Sequence, residues 1–232
     1  MKTTLAPFCA LLALTSLTSA NDILVPQGGS IQLAILSAAD GDRVLVQPGT
    51  YHERIDFLGK AIQVIGLGGA DQTTLDADLQ GTAVLFLNGE GPASRLAGFT
   101  VTRGFTNGLS GGGITASLGT QPTIEDCTIT GNSGKRGGGV HGSPIMLGCL
   151  IRQNTASGGN GGGLWGAPDL YDCVIADNTV TSGAGGGMFL AGGQAVISNC
   201  LIESNRAILG QGVPAPCFAV TPPQHLVVAI EE

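Results

Sequence analysis

The chain has 232 residues, 43% of them hydrophobic and 12% charged, with 39 glycines and a formal charge of −7. That length carries one sizeable domain with its own core, and the apolar content excludes a disordered glycine-rich chain, which would have too little to bury. The acidic balance argues against a nucleic-acid partner, because such binding rests on Lys and Arg neutralising phosphates.

Residues 1–20 combine Lys2, an apolar stretch from Leu5 to Leu14 broken only by Pro7, and the small residues Thr18, Ser19 and Ala20. This pattern predicts a signal peptide cleaved near Asn21, hence a secreted or cell-surface protein. Losing Lys2 takes the formal charge from −7 to −8. Pro7 and Phe8 before Cys9 do not resemble a lipoprotein cleavage box. No later segment approaches the roughly 20 apolar residues of a membrane span, so the mature chain is expected to be soluble.

Residues 21–41 read as an N-terminal cap. Ser30 is a good N-cap, and IQLAILSAAD after it places Ile31, Ile35 and Leu36 on one side of a short helix ending near Gly41. Short strand patterns follow in RVLVQPGTY, KAIQVIGLG, TTLDAD and TAVLFL, with turn residues between them.

From residue 110 the chain repeats. GGG begins at Gly111, Gly137, Gly161 and Gly185, each triplet followed by one apolar residue: Ile114, Val140, Leu164 and Met188. In phase with it runs Cys-x-Ile-x-x-Asn, starting at Cys127, Cys149, Cys173 and Cys200. Three positions before each cysteine stand Ile124, Met146, Leu170 and Ile197. Phe99 occupies the cysteine column one unit upstream. GGGVHG and GGGLWG match the glycine fingerprint of dinucleotide folds in form, but the residues after them are strand-like and the match recurs in each repeat. The βαβ context that fingerprint requires is missing.

Short apolar bursts alternating with polar residues, at a repeat of about 22 to 28 residues, predict a right-handed parallel β-helix. The fold expected is all-β, a solenoid of about seven coils over 42–213. Like residues one coil apart then lie above one another, so inward columns are apolar. Asparagine and glycine are expected at the corners, where left-handed backbone is needed.

The combination of SIQLAILSAADGDRVLVQPGTYHERI with repeated GGG-apolar and CxIxxN motifs resembles secreted bacterial β-helix repeat proteins of the pectate-lyase-like superfamily, over residues 23 to about 213. The repeats are also similar to those of chlamydial polymorphic outer-membrane proteins, which carry Phe where this chain has Cys. The scaffold implies no single activity, since it hosts lyases, hydrolases, esterases, adhesins and proteins without known activity. Residues 214–232, with Pro214, Pro216, Pro222 and Pro223, break the pattern. They read either as an irregular tail capping the last coil or as a truncated coil.

Stacked cysteines have parallel side chains, leaving Cβ atoms near 4.8 Å rather than the roughly 3.8 Å of a disulfide. A buried thiol stack is therefore favoured over bridges such as Cys127–Cys149 or Cys173–Cys200, and a line of sulfurs does not make a zinc tetrahedron. Strand alternation turns Thr115, His141, Trp165 and Phe189 outward. His141, Trp165 and Phe189 are candidates for binding polysaccharide by ring stacking, or for a ladder that only ties coils together.

For catalysis the candidates are Asp126, Asp172 and Arg152, acting as a polysaccharide lyase or glycoside hydrolase on an acidic polysaccharide. Asp126 and Asp172 share a column two coils apart, about 9.6 Å, at or beyond the upper edge for inverting glycosidases. Asp172 and Asn199 are the candidate metal ligands, for calcium if the protein is a lyase, as in related lyases; otherwise no cofactor is expected. Solvated turn residues are the competing account of Asp126, Asp172 and Asn199.

Overall fold

One repeat shows how the sequence makes the fold. Thr123–Glu125 runs along a first face, Thr128–Thr130 along a second, Ser133–Gly134 along a third and Val140–His141 along a fourth, before Ile145–Leu147 returns to the first. In the computed structural model these coils stack strand on strand into four sheets, of nine strands on the first face, seven each on the second and fourth, and five on the third. The structure describes residues 20–108 and 110–208, and beyond them the backbone of residues 209, 213–215, 218–220 and 226–229. The expected signal segment as far as Ser19, and Cys217, lie outside the described residues.

The result is an all-β parallel solenoid of about eight turns. The difference from seven has a simple source: Asp22–Val25, ahead of the helix, already pairs with Arg43–Val46 in the first sheet. At the far end Phe218–Val220 and Leu226–Ala229 lie parallel on Met188–Leu190 and Ala195–Ser198. Val213–Ala215 pairs antiparallel with the end of Arg206–Leu209.

The only helix among the described residues is Ile31–Ser37, capped by the Ser30 side chain, which accepts from the Leu33 N–H. Glu53, one coil on, closes the same end, its carboxylate accepting from the Ile31 and Gln32 N–H groups and the Ser30 hydroxyl. Ile31, Ala34 and Ile35 are buried against the first coils, whereas Leu36 points to solvent. The helix stops before Gly41 because Ala38 is already extended.

The inward columns are in register as the periodicity requires. Ile124, Met146, Leu170 and Ile197 stack on the first face, and Ile129, Ile151, Ile175 and Ile202 on the second. The corners differ from expectation. None of Asn132, Asn154 and Asn178 is left-handed; that conformation belongs to the residue just before the asparagine column, Arg103, Gly131, Gln153, Asp177 or Ser204. The asparagines are buried inside, where each amide serves the neighbouring coil. Asn154 Nδ2 donates to Ile129 O at 2.8 Å and to Asn178 Oδ1 at 3.0 Å, while its own Oδ1 accepts from Asn132 N and Nδ2.

The last glycine of the first three triplets, Gly113, Gly139 and Gly163, lies against this amide ladder. A methyl group on Gly163 would sit 2.7 Å from Gly187 O and 2.8 Å from Asn178 Nδ2. Since the obstacle is backbone rather than a movable side chain, Gly163→Ala is expected to destabilise the protein by about 1–3 kcal/mol, measured by urea unfolding. A melt indistinguishable from wild type would mean the coils can part without cost.

Candidate functional site

The outward column of the fourth face runs Leu85, Thr115, His141, Trp165, Phe189, in register from coil to coil. Its members behave differently. The His141 and Trp165 rings stack with centroids 4.6 Å apart and planes 9° from parallel. Arg136 from the preceding corner lies over the indole, its guanidinium carbon 5.3 Å from the ring centroid. Thr115 is only 6% exposed, and its hydroxyl is satisfied by Gly111. Phe189, at 8%, is likewise buried, so the structure joins His141 to Trp165 and leaves Phe189 out of their site.

That site is a cleft of about 370 Å³, lined by His141, Trp165, Arg136 and by small residues of the turns from the fourth face back to the first. Turn length creates it. The turns of the two middle coils, 142–144 and 167–168, are short, whereas those on either side, 117–122 and 191–194, are longer. The middle coils form a floor of Gly142, Ser143 and the strand-end Gly166; the flanking turns form walls, with Leu118 fully exposed at the tip of one. The Thr120 hydroxyl bonds back to Ser117 O at 2.7 Å and holds that wall in shape.

Among the described residues Arg136 is the one charged residue lining the cleft. His141 is neutral there: burial, with a smaller contribution from the neighbouring Arg136 charge, brings its pKa down to about 4. Its Nδ1 is buried without a hydrogen-bond partner among the described residues. Arg43, Arg95 and Arg103, by contrast, are paired with Asp22, Glu125 and the Asp76–Asp78 couple.

The other candidates lie elsewhere. Asp126 and Asp172 are left-handed corner residues between first and second faces, with φ 48° and 56°, in a column whose other members are Gly98, Gly148 and Asn199. Asp, Asn and Gly are the residues that tolerate this conformation, which accounts for the column without chemistry. Asn199 Nδ2 donates to Asp172 Oδ1 at 2.6 Å, so the amide offers that carboxylate a proton donor rather than a second oxygen for an ion. Arg152 is exposed on the second face. None of Asp126, Asp172, Asn199 and Arg152 lines the cleft.

Sequence reasoning passed over a second polar group on that face. His52 Nδ1 lies 3.2 Å from Asp78 Oδ2 and 3.9 Å from Asp76 Oδ2, but Arg103 reaches both carboxylates, at 2.9 and 3.0 Å. The guanidinium already supplies the positive charge that the two acids call for. His52 and Asp76 share a register column, a signal present in the sequence but placed before the strong repeats begin.

Cys127, Cys149, Cys173 and Cys200 are free thiols. Each donates to the carbonyl two residues before it, across the left-handed corner, at 3.1–3.4 Å. Burial pushes the Cys127 thiol up to about 12. The Cys173 thiol rises to about 12 through its hydrogen bond with the Cys149 thiol and through burial, and that of Cys200 rises chiefly through its bond to Cys173. Because Cys127, Cys149 and Cys173 are buried, native alkylation at pH 8 is expected to spare them and to label all four only after unfolding. Non-reducing mass spectrometry showing Cys127–Cys149 or Cys173–Cys200 linked would overturn this.

No helix among the described residues is long and apolar enough to cross a membrane. No curated protein and no solved structure matches the chain. One family does, described as "Right handed beta helix region" and matched over residues 79–214, which includes all four CxIxxN repeats and both stacked rings of the cleft. The chain belongs to this right-handed β-helix family.

Proposed function

We propose that this is a secreted or cell-surface repeat protein that binds polysaccharide in the Trp165 cleft, on a rod whose remaining role is structural. One observation carries the reading: a stacked His141–Trp165 pair with Arg136 against it, set in a notch floored by Gly142, Ser143 and Gly166. Aromatic rings beside a few polar groups in a small concave site suit a sugar, which has apolar ring faces and hydroxyl edges. Among the described residues the cleft lining contains no carboxylate, so the two-acid chemistry of glycoside hydrolysis finds no pair there. The column is also a ladder between coils, and the two roles separate experimentally.

Trp165→Ala is expected to reduce binding on a glycan array by about tenfold or more, and to lower stability by about 1–3 kcal/mol through loss of the stack. Lost stability with binding intact would make the column a coil-to-coil ladder only. If both are unchanged, the cleft has neither role.

A further inference from the structure

We infer that the cleft takes a short or chain-terminal anionic sugar unit, held by its carboxylate or sulfate on Arg136, and not the middle of a chain lying along the solenoid. The inference rests on the polysaccharide reading above and specifies it in two respects, the shape of the ligand and its charge.

Shape follows from the walls. Residues 117–120 and 191–192 close the notch at its two ends along the solenoid axis. The coils that carry these walls are three coil spacings apart, roughly 14 Å at about 4.8 Å per coil. That leaves a floor two coils wide, room for one or two sugar rings. A long polymer running along the axis would have to pass over both walls, one of them tipped by the fully exposed Leu118. A chain end, or a chain crossing the axis, meets no such obstacle.

Charge follows from Arg136. It is half-buried and has neither a carboxylate nor a hydrogen-bond acceptor among the described residues; its recorded partner is the face of Trp165. A guanidinium held over an aromatic face with no acceptor of its own has N–H groups to offer, and these match a carboxylate or sulfate in two-point contact. The rest of the described lining is uncharged, since His141 is neutral, so among the described residues nothing acidic in the cleft competes for the cation. An anionic group that pairs with Arg136 meets a partly desolvated charge, where an ion pair is stronger than on an open surface.

The test is titration calorimetry of the full chain with galacturonate oligomers from monomer to hexamer, the matched neutral galactose series, and galactose 6-sulfate. Affinity is expected to level off by the dimer, and the neutral series to bind about tenfold more weakly or worse. Arg136→Gln should abolish the preference for charge while leaving the weak neutral binding, and Arg136→Lys should keep part of it. Carboxylate against sulfate identifies which anion is preferred. Affinity rising with every unit to the hexamer would overturn the shape argument, and a charge preference surviving in Arg136→Gln would overturn the charge argument. Failure of every saccharide, charged or neutral, to bind would overturn the polysaccharide reading itself.

Discussion

Replacing Asn154 by alanine is expected to cost about 2–4 kcal/mol, a large part of the roughly 5–15 kcal/mol that holds a typical domain folded. The side chain makes bonds in both directions along the solenoid. Its oxygen accepts from Asn132 N at 3.0 Å, and its amide donates to Ile129 O at 2.8 Å. Truncation strands the Asn132 N–H in a dry interior, at about 1–3 kcal/mol, and removes the second bond of the Ile129 carbonyl, which keeps its place in the strand pairing, at about 1 kcal/mol more. The other bonds are partly replaceable: Asn132 Nδ2 still reaches Val101 O and Thr130 O, and Asn178 Oδ1 still accepts from Asn154 N. Asn154→Asp should be no better, because it keeps the acceptor, loses both donors and buries a charge. Asn205→Ala, at the half-buried end of the ladder, should cost less, since water reaches the groups it frees. Urea unfolding followed by circular dichroism measures all three. If Asn154→Ala unfolds within about 1 kcal/mol of wild type, the ladder is not what fixes the corner between the second and third faces.

The columns were legible in the sequence because a solenoid repeats its environments. Ile129, Ile151, Ile175 and Ile202 share one residue type because they share one place in the core. What each column does was less legible. Asparagine in a repeat suggests a left-handed corner, yet here the corner is one residue earlier. Gly131, Gln153, Asp177 and Ser204 have nothing in common as a column except a tolerated φ of about 50–70°. A strict column records a side-chain requirement, and a variable one a backbone requirement. The same distinction places Asp126 and Asp172 with Gly148 in a turn.

The cleft was half visible for a related reason. Period-two alternation puts His141 next to Trp165 and turns both outward, but alternation cannot tell an outward residue that is exposed from one that is covered. Phe189 faces outward and is buried all the same. The walls did leave a signal, in the unequal spacing from the fourth face to the first in successive repeats: 117–122, then 142–144, then 167–168, then 191–194. Short turns between longer ones make a notch in any stacked repeat. Arg136 stood outside every column, because it belongs to the looping corner before the glycines, where coils need not match.

The neutral His141 makes stability depend on pH in a definite direction. Its pKa in the fold is about 4, against about 6.5 for the free side chain. Between these values the unfolded chain binds a proton that the folded protein does not, so acid favours unfolding. The stabilisation is complete above about pH 6.5 and is lost as the pH falls toward 4. Its upper limit, for a shift of about 2.5 units at 1.36 kcal/mol each, is about 3 kcal/mol; with the cleft open to water on one side, about 2 kcal/mol by pH 4.5 is expected. His141→Gln removes the titration together with the ring stack. It should begin less stable at pH 7 and lose correspondingly less on acidification, and the difference in slope isolates the imidazole from every other titrating group. Equal slopes would mean that the imidazole is solvated in both states. Arg136 adds to the depression, so a bound anion that neutralises it should raise the histidine's pKa and flatten the slope of the wild type, but not of Arg136→Gln. Because these curves read the charge at Arg136 through the stability of the fold, they detect an occupied cleft by a route independent of the heat of binding.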